Sequence, residues 1–248
     1  MMKKVLGLIG VGIYLACATQ VLALDLEWKT KAPMPTGRYG LGAGALNGKI
    51  YAIGGLGVSN INVVEEFDPG IGPNGTWTTK APMPTGRWIL AAVTLNGKIY
   101  AIGGYEGANV VEEFDPGVGP NGTWTTKAPM PTGRSSLAAA ALNGKIYAIG
   151  GSGALNVVEE FDPTVAPNGI WTTKAPMPTG REALAAATLN GKIYAIGGEE
   201  GEEGKKLNVV EEFDPSVGPN GTWSTKAPMP TARNGLAAAV LNGKIYAM

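Results

Sequence analysis

Residues 171–181 read WTTKAPMPTGR, and residues 184–198 read LAAATLNGKIYAIGG. Nearly the same pair of segments occurs five times along the 248-residue chain, and a tryptophan opens each copy. Successive tryptophans are 49, 47, 47 and 52 residues apart, at Trp28, Trp77, Trp124, Trp171 and Trp223. A period in this range is typical of propellers and solenoids, in which each repeat forms one small unit of secondary structure. The repeat is therefore the feature of the sequence that decides the fold.

The composition agrees with a repeat protein built from short strands and turns. The chain contains 38 Gly and 18 Pro, and because they recur in register with the repeat they indicate turns. Hydrophobic residues make up 44% of the chain, which is enough for a sizeable core at this length. The formal net charge is zero, so the charge indicates neither a nucleic-acid partner nor binding to an anionic membrane surface.

The residue types that carry most enzyme chemistry are scarce. The chain has no histidine, and its one cysteine is Cys17. This excludes Ser-His-Asp and Cys-His arrangements, and it removes the commonest ligand of zinc, haem and copper sites. The acidic run at residues 199–203 is interpreted as a solvated loop, with a weak calcium site as the alternative. We predict no cofactor and no metal site.

Residues 1–23 have the pattern of a secretory signal peptide. Two lysines precede an apolar run of 12 residues, which is too short to span a bilayer. Small-residue cleavage sites end at Ala18 and Ala23, and we favour the second. Residues 24–248 are then expected to be secreted or periplasmic, with no membrane span. The alternative is a lipoprotein that is anchored at the cell surface through Cys17.

Each repeat is predicted to contain four strands, as the third copy illustrates. Residues 137–142 and 145–149 are apolar on both faces, and the Asn-Gly pair between them is the strongest short hairpin signal. Residues 156–161 are predicted to form the third strand and residues 171–174 the fourth. The alanines of the first strand suit a crowded place near an axis.

A Gly-Gly doublet, an aromatic residue about a dozen positions later and then a tryptophan together resemble the kelch repeat. The aromatic residue is phenylalanine, where kelch repeats more often carry tyrosine; these positions are Phe67, Phe114, Phe161 and Phe213. The resemblance covers residues 28–248 and implies an all-β fold, a β-propeller with one four-stranded blade per repeat. The complete blades are predicted at residues 38–77, 87–124, 134–171 and 181–223.

Partial repeats flank the four complete ones. Residues 26–35 would supply a lone fourth strand, and residues 233–248 a first and a second strand. Two alternatives follow. Either the chain is a fragment of a propeller with about six or seven blades, as the resemblance implies, or its ends pair into an incomplete fifth blade. We favour the fragment, because an exposed second strand would be an unprotected edge.

The copies differ at two places. The first place is the segment after the Gly-Gly doublet, which has six, four, four and nine residues in the four successive copies. The second place is the pair of residues that follows each repeated arginine, such as Arg181. Because the second strand ends and the first begins at the same rim of a blade, both places are expected on one face, here called the variable face. Loops on a rigid scaffold are where binding residues usually lie. The variable segments after the Gly-Gly doublets are residues 56–61, 105–108, 152–155 and 199–207.

The candidate binding residues of the variable face are aromatic, acidic and basic. Exposed Trp, Tyr and Arg are the usual anchors of a binding surface. The arginines recur in every copy, so we interpret them first as structural residues that tie loop carbonyls or carboxylates of neighbouring blades. Trp88 has the alternative of packing on the next blade. The candidates are Tyr39, Trp88, Tyr105, Glu182, Arg38, Arg87, Arg134, Arg181 and Arg233.

These features favour a binding module that docks a protein or a glycan on its variable face. The alternative is an enzyme that resembles the kelch-type mutarotase acting on sialic acid, with Glu182 beside Arg181 at the mouth as the acid–base pair. A purely structural array is a third hypothesis. The kelch-type copper oxidases use histidine and cysteine at their metal, and this chain has neither after the leader, so the resemblance does not extend to their activity.

Overall fold

A computed structural model describes residues 29–59, 61–153, 155–201 and 203–248. The predicted signal peptide, its cleavage sites and Cys17 lie outside the described residues. The described segments consist of strands and turns, so the fold is all-β. None of these segments forms a helix that could cross a membrane.

Each complete repeat forms one antiparallel sheet of four strands, with the strands in chain order across the sheet. The first sheet contains β1 (Gly42–Leu46), β2 (Lys49–Ile53), β3 (Val64–Asp68) and β4 (Thr76–Thr79). The second contains β5 (Ala91–Leu95), β6 (Lys98–Ile102), β7 (Val111–Asp115) and β8 (Thr123–Thr126). The third contains β9 (Ala138–Leu142), β10 (Lys145–Ile149), β11 (Val158–Asp162) and β12 (Ile170–Thr173). Each of these sheets has the four-stranded antiparallel form expected of a propeller blade.

The fourth sheet carries an additional hairpin in its long loop. It contains β13 (Ala185–Leu189), β14 (Lys192–Ile196), β17 (Val210–Asp214) and β18 (Thr222–Thr225), and the hairpin pairs β15 (Glu199–Glu200) with β16 (Lys205–Lys206). A fifth sheet has two strands, β19 (Ala238–Leu241) and β20 (Lys244–Ala247).

The Asn-Gly turns set the register of the first two strands in each blade. In the third blade Asn143 and Gly144 have φ angles of 52° and 77°, the left-handed conformation of a two-residue hairpin turn. Tyr147 consequently lies opposite Ala140. The third strand begins two residues later than predicted, because the carbonyl of Asn156 accepts a hydrogen bond from Met177 N at 2.8 Å instead of joining the sheet.

The alanine-rich first strands lie innermost, side by side around the axis, with β9 between β5 and β13. Ala138 and Ala140 are buried there, as the small side chains predict. The core continues outward between neighbouring blades, where the ring of Tyr147 contacts that of Phe213 at a centroid distance of 5.8 Å. Trp171 Nε1 donates to the carbonyl of Ala128 at 2.9 Å. This hydrogen bond fixes the linker that leaves the second blade to the fourth strand of the third blade.

Both glutamates of each third strand are buried, which explains why this strand lacks a clean apolar–polar alternation. In β11, Glu159 and Glu160 are 2% and 6% exposed. Since neighbouring residues of a strand point to opposite faces, the two carboxylates need separate partners. Glu159 pairs with Arg134 at 2.9 Å, and Glu160 pairs with Lys145 at 2.8 Å.

The structure describes only part of the segment that was predicted as a strand at residues 26–35, and the described part is not a strand. Residues 29–35 contain no strand, and residues 26–28 lie outside the described residues. A fourth strand needs a third strand beside it, and the described residues contain none before β1. The segment acts instead as a linker: Ala32 N donates to Asn74 O, and the carbonyl of Ala32 accepts from Trp77 Nε1, both at 2.9 Å.

Candidate functional site

The two variable places of each repeat lie against each other on one face. Tyr105 N donates to the carbonyl of Trp88 at 2.9 Å, and the two residues form an isolated antiparallel bridge. Glu182 and Glu199 form the same bridge in the fourth blade. The end of each second strand therefore meets the approach to each first strand, as strand direction predicts. Sequence variation thus converges on this face.

One residue ahead of each first strand contributes to an open arc of backbone hydrogen bonds around the axis, which we call the axial ring. Ile89 N donates to Gly40 O at 2.6 Å, and Ser136 N donates to Ile89 O at 3.0 Å. Ala183 N and Gly235 N continue the chain of hydrogen bonds at 2.9 and 2.8 Å. All five residues have positive φ angles, between 46° and 61°. Ile89, Ser136 and Ala183 each donate to the residue before them in this series and accept from the residue after them. Gly40, at one end, only accepts in the series, and Gly235, at the other end, only donates.

Backbone strain is concentrated at Ile89, whose φ angle is 46°. A β-branched residue in the left-handed region is a genuine outlier, because its Cβ crowds the backbone. Such conformations persist where the surrounding structure imposes them, and they cluster at binding and catalytic sites. Ile89 holds its conformation through hydrogen bonds to Gly40 and Ser136.

A cavity of about 280 Å³ opens inside the axial ring. Leucines form its floor, one directly after each ring residue, and they include the buried Leu90, Leu137 and Leu184. Side chains of Ile89 and Ser136 border the opening. The lining of the cavity therefore combines leucines with residues of the axial ring.

Tyr39, Trp88 and Tyr105 form a continuous aromatic cluster beside the axial ring. The ring of Trp88 lies 5.7 Å from each tyrosine ring, with interplanar angles of 78° and 61°. Edge-to-face contacts of this kind are favourable for aromatic pairs. Tyr39 and Tyr105 remain 59% and 55% exposed. The cluster therefore presents aromatic surface to solvent from two successive blades.

The other side of the variable face is acidic and polar. Glu199 accepts a short hydrogen bond from Asn234 Nδ2, and it lies opposite Glu182. Residues directly opposite in an antiparallel pair project from the same face, so Glu182 and Glu199 lie on the same side of this bridge. The acidic run, predicted as a loop, instead forms the hairpin β15–β16, in which Lys205 pairs with Glu200 at 2.8 Å. A cavity of about 720 Å³ lies between this hairpin and residues Leu155 and Asn156.

The repeated arginines lie beneath the variable face. Arg87 Nη1 donates to Glu112 Oε2 at 2.5 Å, and Nη2 donates to Ala101 O at 3.0 Å. Burial lowers the pKa of Arg87, and the charge of Glu112 partly offsets this shift. The partner belongs to the same blade, whereas the sequence interpretation allowed for neighbouring blades. The equivalent pairs are Arg38–Glu65, Arg134–Glu159 and Arg181–Glu211.

Arg233 differs from the other four arginines. Its side chain is half-buried, and no carboxylate among the described residues pairs with it. The fifth sheet lacks a third strand within the described part of the chain, so the glutamate that the other blades supply is missing there. The backbone of Arg233 nevertheless has the same position in its repeat as the backbone of the other arginines, since Gly198 N donates to Arg233 O at 2.8 Å.

A second set of buried ion pairs involves the other glutamate of each third strand. Glu113 accepts from Tyr100 Oη at 2.5 Å and from Lys98 Nζ at 2.9 Å, and Lys127 lies 3.1 Å away. Burial alone would raise the pKa of Glu113, but these donors outweigh it and lower the pKa. Burial and the bond to Glu113 raise the pKa of Tyr100. The network recurs in every complete blade, so it stabilises the fold.

The structure thus separates the candidates that the sequence grouped together. It assembles Tyr39, Trp88 and Tyr105 into one cluster and places Glu182 on the acidic side of the same face. Four of the arginines are structural ion-pair partners below the surface. Sequence reasoning included Glu199 only as part of the acidic run that it interpreted as a solvated loop, and it missed the axial ring. The signal for the ring was the pair of variable residues after each arginine.

Comparison with known proteins agrees with this architecture. A family model described as the kelch motif matches residues 37–84, 90–131, 133–178 and 180–230. The solved structure titled "Structure of YjhT" superposes with a TM-score of 0.71 at 21% sequence identity, over 87% of this chain and 72% of that one. At this identity the likeness shows a common fold. No curated protein was found to match the chain.

Proposed function

The chain belongs to the kelch-motif family, and on that premise we propose that it is a binding module that docks a protein or a glycan on its variable face. The exposed aromatic cluster of Tyr39, Trp88 and Tyr105 carries this proposal. From the signal-peptide pattern of residues 1–23 we also propose that the module acts outside the cytoplasm, as a secreted or periplasmic protein.

Aromatic surface on a rigid scaffold is suited to recognition. Tyr and Trp supply a large contact area at low cost in side-chain entropy, and their polar tips add hydrogen bonds. The bridges of Tyr39 to Leu56 and of Trp88 to Tyr105 hold both sides of the cluster to their blades. Little ordering is then left to occur on binding, which favours affinity.

The two sides of the variable face suggest how a ligand would be oriented. Apolar or ring surfaces of the ligand would cover the aromatic cluster, and hydroxyl or cationic groups would face Glu182 and Glu199. A sugar ring or a protein loop with an aromatic contact and a polar end has this chemistry. The arrangement supports a ligand longer than one side chain, because the two areas lie on different blades.

The test is a triple variant in which Tyr39, Trp88 and Tyr105 are replaced with alanine. Capture on a glycan array and in a pull-down should fall at least ten-fold. The matched control replaces Ile71, Val118 and Val165, which are 56%, 50% and 44% exposed on the turns of the opposite face. Equal capture by both variants would contradict the placement of the site.

One observation favours a second candidate, an enzyme that accelerates the anomer exchange of a sugar such as sialic acid. Ring opening needs an acid and a base, and Glu182 and Glu199 lie opposite each other in the bridge on the variable face. Arg181, the partner suggested by the sequence, is instead engaged by Glu211. NMR of freshly dissolved sialic acid tests this candidate: exchange should be faster with the protein and slower again with E182Q or E199Q. An exchange rate unchanged by the protein would eliminate it.

A further inference from the structure

The two variable places carry a different pair of residues in each blade. From the first blade to the fourth, the pairs are Tyr39 and Leu56, Trp88 and Tyr105, Ser135 and Ser152, and Glu182 and Glu199. The first, second and fourth pairs are isolated antiparallel bridges. In the third pair, Ser152 N donates to Ser135 O at 2.8 Å. The variable face therefore changes around the axis from aromatic, through small and polar, to acidic.

The third blade leaves a gap between the aromatic residues of the second blade and the acidic residues of the fourth. Ser135 is only 9% exposed, and its amide donates to Ser152 Oγ at 3.2 Å, so neither serine places a large side chain in the gap. Trp88 and Tyr105 border the gap on one side, and the hairpin β15–β16 borders it on the other. We call the gap above Ser135 and Ser152 the third-blade groove.

The groove is narrow enough for a few extended residues to cross. Ser136 N donates to Ile89 O at 3.0 Å, and Ala183 N donates to Ser136 O at 2.9 Å. Backbone segments joined by such hydrogen bonds lie about 5 Å apart, so Ile89 and Ala183 are separated by about 10 Å. Trp88 and Glu182 directly precede these two residues. Because an extended chain advances about 3.3 Å per residue, three or four residues would join the two sides.

The variable face is the acidic part of a chain whose formal net charge is zero. The residues at the two variable places include six glutamates and two lysines, which gives a net charge of −4. Glu106, Glu182 and Glu199 make no ion pair with another described residue. Glu199 is held in place by a short hydrogen bond from Asn234 Nδ2. The carboxylates on both sides of the groove are therefore free to pair with a cationic ligand.

Aromatic rings beside free carboxylates are suited to the side chain of arginine. The planar guanidinium group stacks on aromatic faces and donates two parallel hydrogen bonds to a carboxylate. Tyr105 is 55% exposed, so its ring is accessible for such stacking. An uncharged ligand could cover the rings, but it would leave the carboxylates without a counter-charge. The chemistry of the groove therefore favours a basic ligand.

We propose that the third-blade groove binds an extended, arginine-containing segment of a partner protein. One arginine would stack on Trp88 and Tyr105, and a second would pair with Glu182 and Glu199. The inference rests on the proposed binding function and deepens it, because it names a basic polypeptide as the ligand of the variable face.

The experiment measures the fluorescence anisotropy of a labelled peptide, Gly-Arg-Gly-Arg-Gly-Arg-Gly, on titration with the full chain. Alternate residues of an extended peptide project to the same side, and its first and third arginines are about 13 Å apart, which suits the width of the groove. We expect saturable binding that weakens at least about ten-fold when citrulline, the neutral isostere, replaces arginine. Raising the salt concentration should also weaken binding, because the pairing is electrostatic.

Two double variants test the two sides of the groove. Both Glu182→Gln with Glu199→Gln and Trp88→Ala with Tyr105→Ala should weaken binding at least about ten-fold. The matched control is Asp68→Asn with Asp115→Asn, which also removes two negative charges. Each of these asparagines can still accept the hydrogen bond of its turn, from Gly70 N or Gly117 N, so binding should change less than about two-fold. Thermal melts check that each variant is folded.

Three results would overturn the inference. The first is the absence of saturable peptide binding up to about 1 mM protein. The second is equal affinity for the arginine and citrulline peptides, and the third is an equal loss of binding in the glutamate variant and its aspartate control. If capture on a glycan array still depends on Tyr39, Trp88 and Tyr105 in any of these cases, the proposed binding function stands and only the basic ligand is wrong.

Discussion

Arg87 Nη1 lies 2.5 Å from Glu112 Oε2, in a pair whose side chains are 0% and 2% exposed. The same contact recurs in the other three complete blades, directly beneath the variable face. Replacing Glu112 with alanine leaves a buried guanidinium unpaired, which costs about 3–5 kcal/mol. We expect E112A to lower the free energy of unfolding, measured in urea, by this amount.

The control for this prediction is Arg233→Ala, which removes an arginine that has no carboxylate partner among the described residues. Its cost should stay below about 1 kcal/mol, the range of an ordinary surface substitution. Similar losses in E112A and R233A would show that the buried pair is not what stabilises the blade.

Two glycines of one turn differ in what a methyl group would meet. A Cβ at Gly122 would lie 2.4 Å from Phe114 Cζ, whereas a Cβ at Gly119 would meet nothing within 4 Å. Both have positive φ angles, 74° and 66°, so alanine at either costs about 1–2 kcal/mol of backbone strain. The clash in G122A adds about 1–3 kcal/mol. The free energy of unfolding in urea should be clearly lower for G122A than for G119A. Equal stabilities of the two variants would contradict the packing of Phe114 against Gly122.

The strained residue of the axial ring should tolerate glycine. Ile89→Gly removes a half-buried side chain but relieves about 1–2 kcal/mol of left-handed strain. We expect thermal unfolding to show a net change below about 1 kcal/mol. The matched control is Ile99→Ala, at a fully buried position, which should cost about 2–5 kcal/mol. A loss in I89G as large as in I99A would contradict the strain at Ile89.

Acid should destabilise the blades through their second buried glutamate. Hydrogen bonds from lysines and tyrosine lower the pKa of Glu66, Glu113 and Glu160 below the unfolded value despite burial. Each therefore contributes stability that is complete above its unfolded pKa, about 4.3, and is lost as the pH falls through the folded pKa. Melting temperatures should fall below about pH 4, and less steeply in E113Q. If the melting temperatures of wild type and E113Q fell equally steeply with pH in this acid range, Glu113 would be excluded as a cause of the acid destabilisation.

The sequence by itself determined the repeat, the blade and the position of variation. The Asn-Gly turns, such as Asn143-Gly144, and the short apolar strands beside them are local signals, because a turn type and a run of apolar side chains depend only on neighbouring residues. Repetition in register predicted a propeller or a solenoid, and the resemblance to the kelch repeat implied the propeller. The repetition also indicated that the variable segments share one face, since strand direction alone sets which ends coincide.

Only the tertiary structure decided which residues near the variable face are available for binding and which are buried in ion pairs. Arg87 and Trp88 are neighbours in sequence, yet one is buried against Glu112 and the other joins an aromatic cluster. Burial and ion pairing depend on residues 25 or more positions apart, such as Glu112 for Arg87 and Glu211 for Arg181, so no local pattern contains them. The hydrogen bonds of the axial ring likewise depend on which strands from different repeats lie side by side.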